Sequence, residues 1–260
     1  MIRFIFIASL LIFSCSKKNI HINTSIIPKP VSQTINNGVF NLAEKIEIIY
    51  DSSFVNEVEY LKSNFPIKEG SNQNFIRIEK NSLLQKEEYK LLIRTNEVII
   101  NASTPRGAMH AIQSLRQLLP NEIKKHQKNI LIKCMEIHDY PKFKWRGLLL
   151  DCCRHFMEKE FVKKYIDLLA YHKMNILHWH LTEDQGWRIA IEKYPNLTET
   201  GAWRKDENGG IYGGFYNKQD IQEIVEYASK RHIEIIPEIE LPGHIDAAIA
   251  SYKYISCTGK

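Results

Sequence analysis

Gly147-Leu148-Leu149-Leu150-Asp151-Cys152-Cys153 and Asn175-Ile176-Leu177-His178-Trp179-His180 are two apolar runs with a stretch of helical periodicity between them. The first is continuous enough to read as a strand buried on both faces, the mark of a parallel sheet covered by helices. In the interval, Phe161, Tyr165, Leu168, Leu169 and His172 recur at the spacing of one helix face. A long polar insertion follows, then a helix marked by Ile221, Ile224, Val225 and Ala228, then a third strand from His232 to Glu238. Strand, helix, strand, loop, helix, strand is the start of a parallel α/β architecture. In such folds functional side chains gather at the carboxyl ends of the strands. Those ends carry Asp151, Arg154, His178, His180, Glu183, Asp184, Glu238, Glu240 and His244.

Upstream, from Ile26 to Tyr140, the pattern is a small α+β domain. Ile46 to Tyr50 and Phe75 to Ile78 read as strands, and Tyr89 to Arg94 with Val98 to Asn101 as a hairpin turning at Thr95-Asn96-Glu97. Thr104 is an N-cap before Pro105, and Ala108, Ile112, Leu115 and Leu119 follow on one helix face until Pro120-Asn121 stops it. Ile130 to Ile132 is a further strand. Residues 1–14 read as a secretory signal: Arg3, an apolar run from Phe4 to Phe13, then Ser14-Cys15. The run is too short for a membrane-spanning helix. Ile12-Phe13-Ser14-Cys15 is similar to a bacterial lipoprotein box, which implies a lipidated Cys15, a tether over residues 15–25 and a place in the bacterial cell envelope, periplasmic or on the outer membrane.

The 260 residues are 44% apolar and 25% charged, and 35 Lys+Arg against 30 Asp+Glu leave a net charge of +5. These figures exclude extended disorder, collagen, coiled coil and a multispanning membrane protein, and make nucleic acid a poor partner. Cys152 and Cys153 read as buried thiols, and with no Cys-x-x-Cys present a zinc ribbon is unsupported.

Three chemistries compete for the strand ends. His178 and His180 lie two apart on one side of a strand, within reach of one metal ion that carboxylates and His244 would complete, as in a metal-dependent hydrolase. With 10 histidines in the chain, the pair is equally readable as core histidines bonded to backbone. Glu238 and Glu240 lie about 6.6 Å apart on one strand face, in the general range of glycosidase carboxyl pairs. Neighbours on one strand, however, cannot flank a sugar from opposite sides, which favours Glu238 as a buried structural carboxylate and Glu240 as a loop residue.

The third reading is a resemblance. The segment Trp145 to Phe156, the segment Lys173 to Arg188 (Lys-Met-Asn-Ile-Leu-His-Trp-His-Leu-Thr-Glu-Asp-Gln-Gly-Trp-Arg) and Pro237-Glu238-Ile239-Glu240-Leu241-Pro242-Gly243-His244 resemble the first three barrel strands of glycoside hydrolase family 20, the β-N-acetylhexosaminidases. Residues 26–140 resemble, more loosely, the α+β domain that precedes the barrel in that family. The resemblance implies an α+β domain followed over residues 141–260 by part of a (β/α)8 barrel. It also implies retaining, substrate-assisted hydrolysis of terminal N-acetylglucosamine or N-acetylgalactosamine residues with no metal or organic cofactor.

Carried over by position, Arg146 would bind hydroxyls of the non-reducing-end sugar. His244 would support the catalytic acid, partnered by Glu183 or Asp184. Trp187 is either a sugar platform or a packing residue. The family's His-x-Gly-Gly-Asp-Glu motif is not in the sequence, whose one Asp-Glu, Asp206-Glu207, lies in a polar loop. From Arg146 to Lys260 there are fewer than half of the about 250 residues a barrel needs. The expectation is therefore an amino-terminal fragment with its catalytic pair beyond Lys260, inactive alone, or else a non-catalytic sugar-binding fragment.

Overall fold

A computed structural model of the chain describes residues 22–70, 73–120 and 129–259. The signal over residues 1–14 and Cys15 lie outside the described residues, as does the start of the tether.

The first half is one mixed sheet. Its strands are β1 (Ser32–Asn41), β2 (Lys45–Tyr50), β3 (Lys68–Glu69), β4 (Phe75–Lys80), β5 (Tyr89–Ile93), β6 (Glu97–Ala102) and β7 (Leu131–Asp139), in the order β1-β7-β5-β6-β4-β2-β3. The β5–β6 pairing is the expected hairpin. Helices α1 (Val55–Asn64) and α2 (Pro105–Gln117) complete the half and pack against each other. Thr104 caps α2 by accepting from the Gly107 N–H, with Pro105 at the first helical position. Ala108, Ile112 and Leu115 are fully buried, so the helix face is as periodicity indicates. Strand β1 has no apolar alternation: it is an edge strand whose Ser-Gln-Thr-Ile-Asn-Asn-Gly run buries little before Phe40. Its pairing with β7 supplies what its side chains do not.

The second half contains β8 (Gly147–Asp151), α3 (Lys159–Tyr171), β9 (Ile176–His180), the short hairpin β10 (Thr182–Glu183) and β11 (Gly186–Trp187), and α4 (Asn196–Glu199). These are followed by the hairpin β12 (Trp203–Lys205) and β13 (Ile211–Gly213), then α5 (Lys218–Ser229), β14 (Glu234–Glu238) and α6 (Asp246–Ser251). Strands β8, β9 and β14 form a parallel sheet in the order β14-β9-β8. Leu150, Leu177 and Trp179 point to the face beneath α3 and α5 and are buried there. Leu148 and Leu149 are half-exposed, contrary to the reading of β8 as buried on both faces. Among the described residues β8 is an edge strand, with β9 as its only neighbour, so one side lacks cover. The buried face of α3 is also shifted: Val162, Ile166, Leu169 and Ala170 pack inward, while Phe161 and Leu168 face out.

The halves meet through polar contacts that close on themselves. Gln117 on α2 donates to the Tyr171 and Ile27 carbonyls and accepts from the Ile27 N–H. The buried Glu57 carboxylate takes the His232 imidazole at 2.8 Å, and Lys173 Nζ lies 3.0 Å from Asp139.

The polar insertion between β9 and α5 is organised by Arg188, which has no exposed surface. Its guanidinium donates to four backbone carbonyls: Cys152 at 3.0 Å, Cys153 at 2.6 Å, Ala202 at 2.5 Å and Gly214 at 3.1 Å. The planar fork reaches all four, which an ammonium on a flexible stem does not. Glycines make room for it: a Cβ on Gly186 would stand 2.3 Å from the guanidinium. Substituting Arg188→Lys leaves buried carbonyls without donors and is expected to destabilise the chain by about 3 kcal/mol or more. Urea denaturation of the two proteins checks this, and equal midpoints would refute it.

Candidate active site

Sheet register brings three strand ends into one row. Asp151 stands opposite His180 across β8–β9, and His180 opposite Glu238 across β9–β14. All three side chains leave the same face, the one not covered by helices.

The turn after β8 is built on Asp151. Its Oδ1 accepts from the Cys153 and Arg154 N–H groups at 2.9 and 3.0 Å, and its Oδ2 from Arg154 Nη1 at 2.6 Å. Burial pushes the Asp151 carboxyl up, but these hydrogen bonds from Arg154 and Cys153 outweigh it and hold the group below its ordinary value. The guanidinium of Arg154, half-exposed, is thus fixed at the carboxyl end of the sheet.

Its second nitrogen, Nη2, donates to Glu183 Oε2 at 2.8 Å. Glu183 is 3% exposed. Its Oε1 accepts from the His244 imidazole Nδ1 at 2.7 Å and from the Asp184 N–H at 3.1 Å. A carboxylate at this depth needs such partners, and it has a donor on each oxygen, the Arg154 guanidinium and the His244 imidazole. Asp184 lies 3.8 Å from the imidazole and accepts from the Asp246 N–H. Of the two acidic residues open as partners of His244, the closer is Glu183.

His244 itself is exposed, and its backbone adopts a φ of 56° in the loop before α6. The hydrogen bond to Glu183, the charge of Glu183 and the more distant Asp184 and Glu240 raise the imidazole above its ordinary value. The Glu183 oxygen only accepts, so Nδ1 carries the proton of this bond.

Arg146 is not part of this constellation. It precedes Gly147 at the amino end of β8, about 16 Å of strand from Asp151. Its guanidinium there pairs with Glu87 and donates to the Lys173 and Phe143 carbonyls. It is a strut between the two halves, and the expectation that it binds sugar is corrected to that. The arginine on the site face is Arg154, named among the strand-end residues but given no task by sequence matching. The signal for it was position: it lies three residues past the carboxyl end of the strand, and Arg146 lies before the amino end.

Glu238 and Glu240 do not flank an open space either. Glu238 Oε2 is 2.5 Å from His178 Nε2, and one oxygen from each glutamate faces the same His180 imidazole at 3.7 and 3.9 Å. His178 and His180 therefore do not converge on one point; Glu238 lies between them. Trp187 is 5% exposed and packs with Leu197, Ile245 and Ala248, which makes it a packing residue. Asp206-Glu207 sits in the exposed turn between β12 and β13, where Asp206 Oδ1 accepts from the Asn208 and Gly210 N–H groups.

Among the described residues, three groups have ligand atoms close enough to share an ion: Asp151, Cys153 and His180; His180, Glu238 and Glu240; Glu183, Asp184 and His244.

Comparison with known proteins adds to this geometry. Residues 23–140 match the description "Glycosyl hydrolase family 20, domain 2", and residues 143–260 match "Glycosyl hydrolase family 20, catalytic domain". A beta-hexosaminidase of Porphyromonas gingivalis is 38% identical over 249 residues, 90% of this chain and 32% of that protein. A beta-hexosaminidase of Vibrio furnissii is 37% identical over 242 residues, 86% of this chain and 39% of the relative. The crystal structure of an exo beta-N-acetylglucosaminidase from Vibrio harveyi, in complex with N-acetylglucosamine, superposes with a TM-score of 0.81 at 34% identity, covering 90% of this chain and 39% of that one. The chain thus spans between a third and two-fifths of the length of these relatives.

The contact between Glu183 and His244 has a measurable consequence. Because the folded imidazole is raised, the contact is fully present below the unfolded value of about 6.5 and is lost as pH rises through the folded value. In an NMR titration His244 is expected to titrate above about 6.5, and Glu183→Gln to bring it down. An unchanged titration in the variant would remove Glu183 as its partner.

Proposed function

This chain belongs to glycosyl hydrolase family 20, and from that premise we propose that it is part of a retaining β-N-acetylhexosaminidase acting on terminal N-acetylglucosamine or N-acetylgalactosamine residues of glycans. The observation that carries the reading is the buried Glu183, shared between the half-exposed Arg154 and the exposed His244 at the carboxyl ends of parallel strands. The three strands are the opening of a (β/α)8 barrel, whose functional face is this one.

In the proposed reaction a glutamic acid protonates the glycosidic oxygen while the 2-acetamido oxygen of the substrate attacks the anomeric carbon. An adjacent aspartate orients the acetamide and stabilises the charged oxazolinium, and water then opens that ring with net retention. Arg154 holds sugar hydroxyls: its fork takes two oxygens at once and keeps its charge, and Asp151 and Glu183 fix its plane. His244, protonated on Nδ1 towards Glu183, is the residue that supports this acid. It sets that acid's proton affinity through charge and hydrogen bonding. No step of this scheme requires a metal or an organic cofactor.

The acid and its aspartate are not among these residues. The sequence has no His-x-Gly-Gly-Asp-Glu, and Asp206-Glu207 is committed to a turn. The 260-residue chain alone is therefore expected to give no hydrolysis of a chromogenic β-N-acetylglucosaminide above a blank. Turnover by the pure chain would refute this placement of the acid. In a polypeptide that continues into a strand with that motif, hydrolysis with retention is expected, and Arg154→Met should lower kcat/KM by about 100-fold or more. An unaltered kcat/KM would dismiss Arg154.

The proposal extends to location: Cys15 is the lipidated amino terminus of an envelope-anchored protein, supported by Arg3, the apolar run and Ile12-Phe13-Ser14-Cys15. Labelling with a radioactive fatty acid in a bacterial host is expected to mark the wild-type chain and not Cys15→Ala. Equal labelling would rule the anchor out.

A further inference from the structure

Below the Arg154–Glu183–His244 network lies a second cluster that the proposed reaction does not use. His180 is 4% exposed, and its Nε2 has no hydrogen-bond partner. That nitrogen points at three carboxylate oxygens, from Glu238 at 3.7 Å, Glu240 at 3.9 Å and Glu183 at 3.9 Å. A buried polar atom left without a partner needs an explanation. A proton on Nε2 does not supply one: a charge-assisted N–H···O bond spans about 2.7–2.9 Å, and all three separations are far longer.

We propose that His180, Glu238 and Glu240 form a binding site for a divalent cation of the zinc class, which ties the ends of β9 and β14 together beneath the sugar-binding face. Register builds the site. His180 and Glu238 are directly paired across the two strands, and Glu240 follows two residues later. The Glu240 backbone is held in place by its N–H donating to Thr182 Oγ1 at 2.8 Å. The three ligand atoms lie within 4.8 Å of one another.

The gap has the dimensions of an ion. In a tetrahedron with edges of about 3.8 Å, the length of the two His180–glutamate separations, the centre lies about 2.3 Å from each vertex, close to zinc–ligand lengths of about 2.0–2.2 Å. The donor set selects the class. One imidazole and two carboxylates suit zinc and its transition-metal neighbours, whereas calcium and magnesium ask for oxygen alone.

Charge and access agree. Carboxylates of Asp151, Glu183, Glu238 and Glu240 all lie within 4.0 Å of the His180 ring nitrogens, and the guanidinium of Arg154 is bonded to only two of them. The side chains of Glu238 and Glu240 keep 25% and 30% exposure, so an ion can enter from solvent. Asp151 lies 3.7 Å from the other imidazole nitrogen, beyond hydrogen-bond range, and adds its negative charge to the cluster. His178, expected from the sequence to share one ion with His180, lies instead against the other oxygen of Glu238.

The test is binding, not turnover. The purified chain, stripped with a chelator, is titrated with Zn²⁺ by calorimetry, and Co²⁺ absorption reports the ligand set. One saturable equivalent is expected at micromolar affinity or better, with a rise in Tm of about 5 °C at a hundredfold excess over Kd. His180→Gln removes a buried side chain and can fail to fold, so Glu240→Gln decides. It should weaken binding at least tenfold while the metal-free Tm stays at the wild-type value. His244→Ala should bind as wild type, which separates this site from the more exposed Glu183–Asp184–His244 group. Absence of a saturable equivalent, wild-type affinity in Glu240→Gln, or loss of binding in His244→Ala would each overturn the proposal.

Discussion

The guanidinium of Arg188 is the constraint on which the second half of the molecule turns. Buried without a carboxylate, it neutralises nothing; it gathers backbone. Two of its acceptors, Cys152 and Cys153, follow strand β8, and the other two, Ala202 and Gly214, belong to the long insertion before α5. One side chain thereby holds a polar excursion against the carboxyl end of the sheet. The Cys153 and Arg154 amides on the other side of that turn go to Asp151, which places Arg154. Burial lowers the Arg188 pKa, yet four carbonyl dipoles replace the lost water.

From that turn the site follows by succession. Asp151 fixes Arg154, Arg154 and His244 share Glu183, and Glu183 sits at the mouth of β9 because the β10–β11 hairpin turns the chain back immediately. The buried Glu183 accepts from Arg154 on one oxygen and from His244 on the other. In the neighbouring cluster His180 Nε2 and Glu238 Oε2 are buried without a hydrogen-bond partner, and His180 Nε2 meets only oxygens beyond that range. Unsatisfied buried atoms in an otherwise ordered site mark a place for a ligand.

Legibility differed by element. Helix α2 could be read from its cap, its proline and its apolar spacing because all three act within a few residues. Strand β1 could not, because its partner β7 lies a hundred residues away and an edge strand needs no apolar alternation. The helix α3 face was displaced because Phe161 and Leu168 are as apolar as the residues that pack, and only the position of β8 and β9 chooses between them. The error over Arg146 has the same origin: two arginines flank one strand, and motif matching does not say which end carries chemistry. Strand direction does, and it was already available from the order of the elements.

By itself, the sequence determined that a mixed α+β half precedes a parallel α/β half, that the polar residues of interest cluster at strand ends, and which family these patterns resemble. Those properties are local: periodicity, caps and the contiguity of motifs are written in neighbouring residues. Only the tertiary structure decided that Glu183 and not Asp184 is the closer partner of His244, that Arg146 joins the halves while Arg154 faces the site, and that His180 looks into a ring of carboxylates. Each of these depends on distances of a few ångströms between side chains from different strands, and sheet register, which sets those distances, arises when the strands pair.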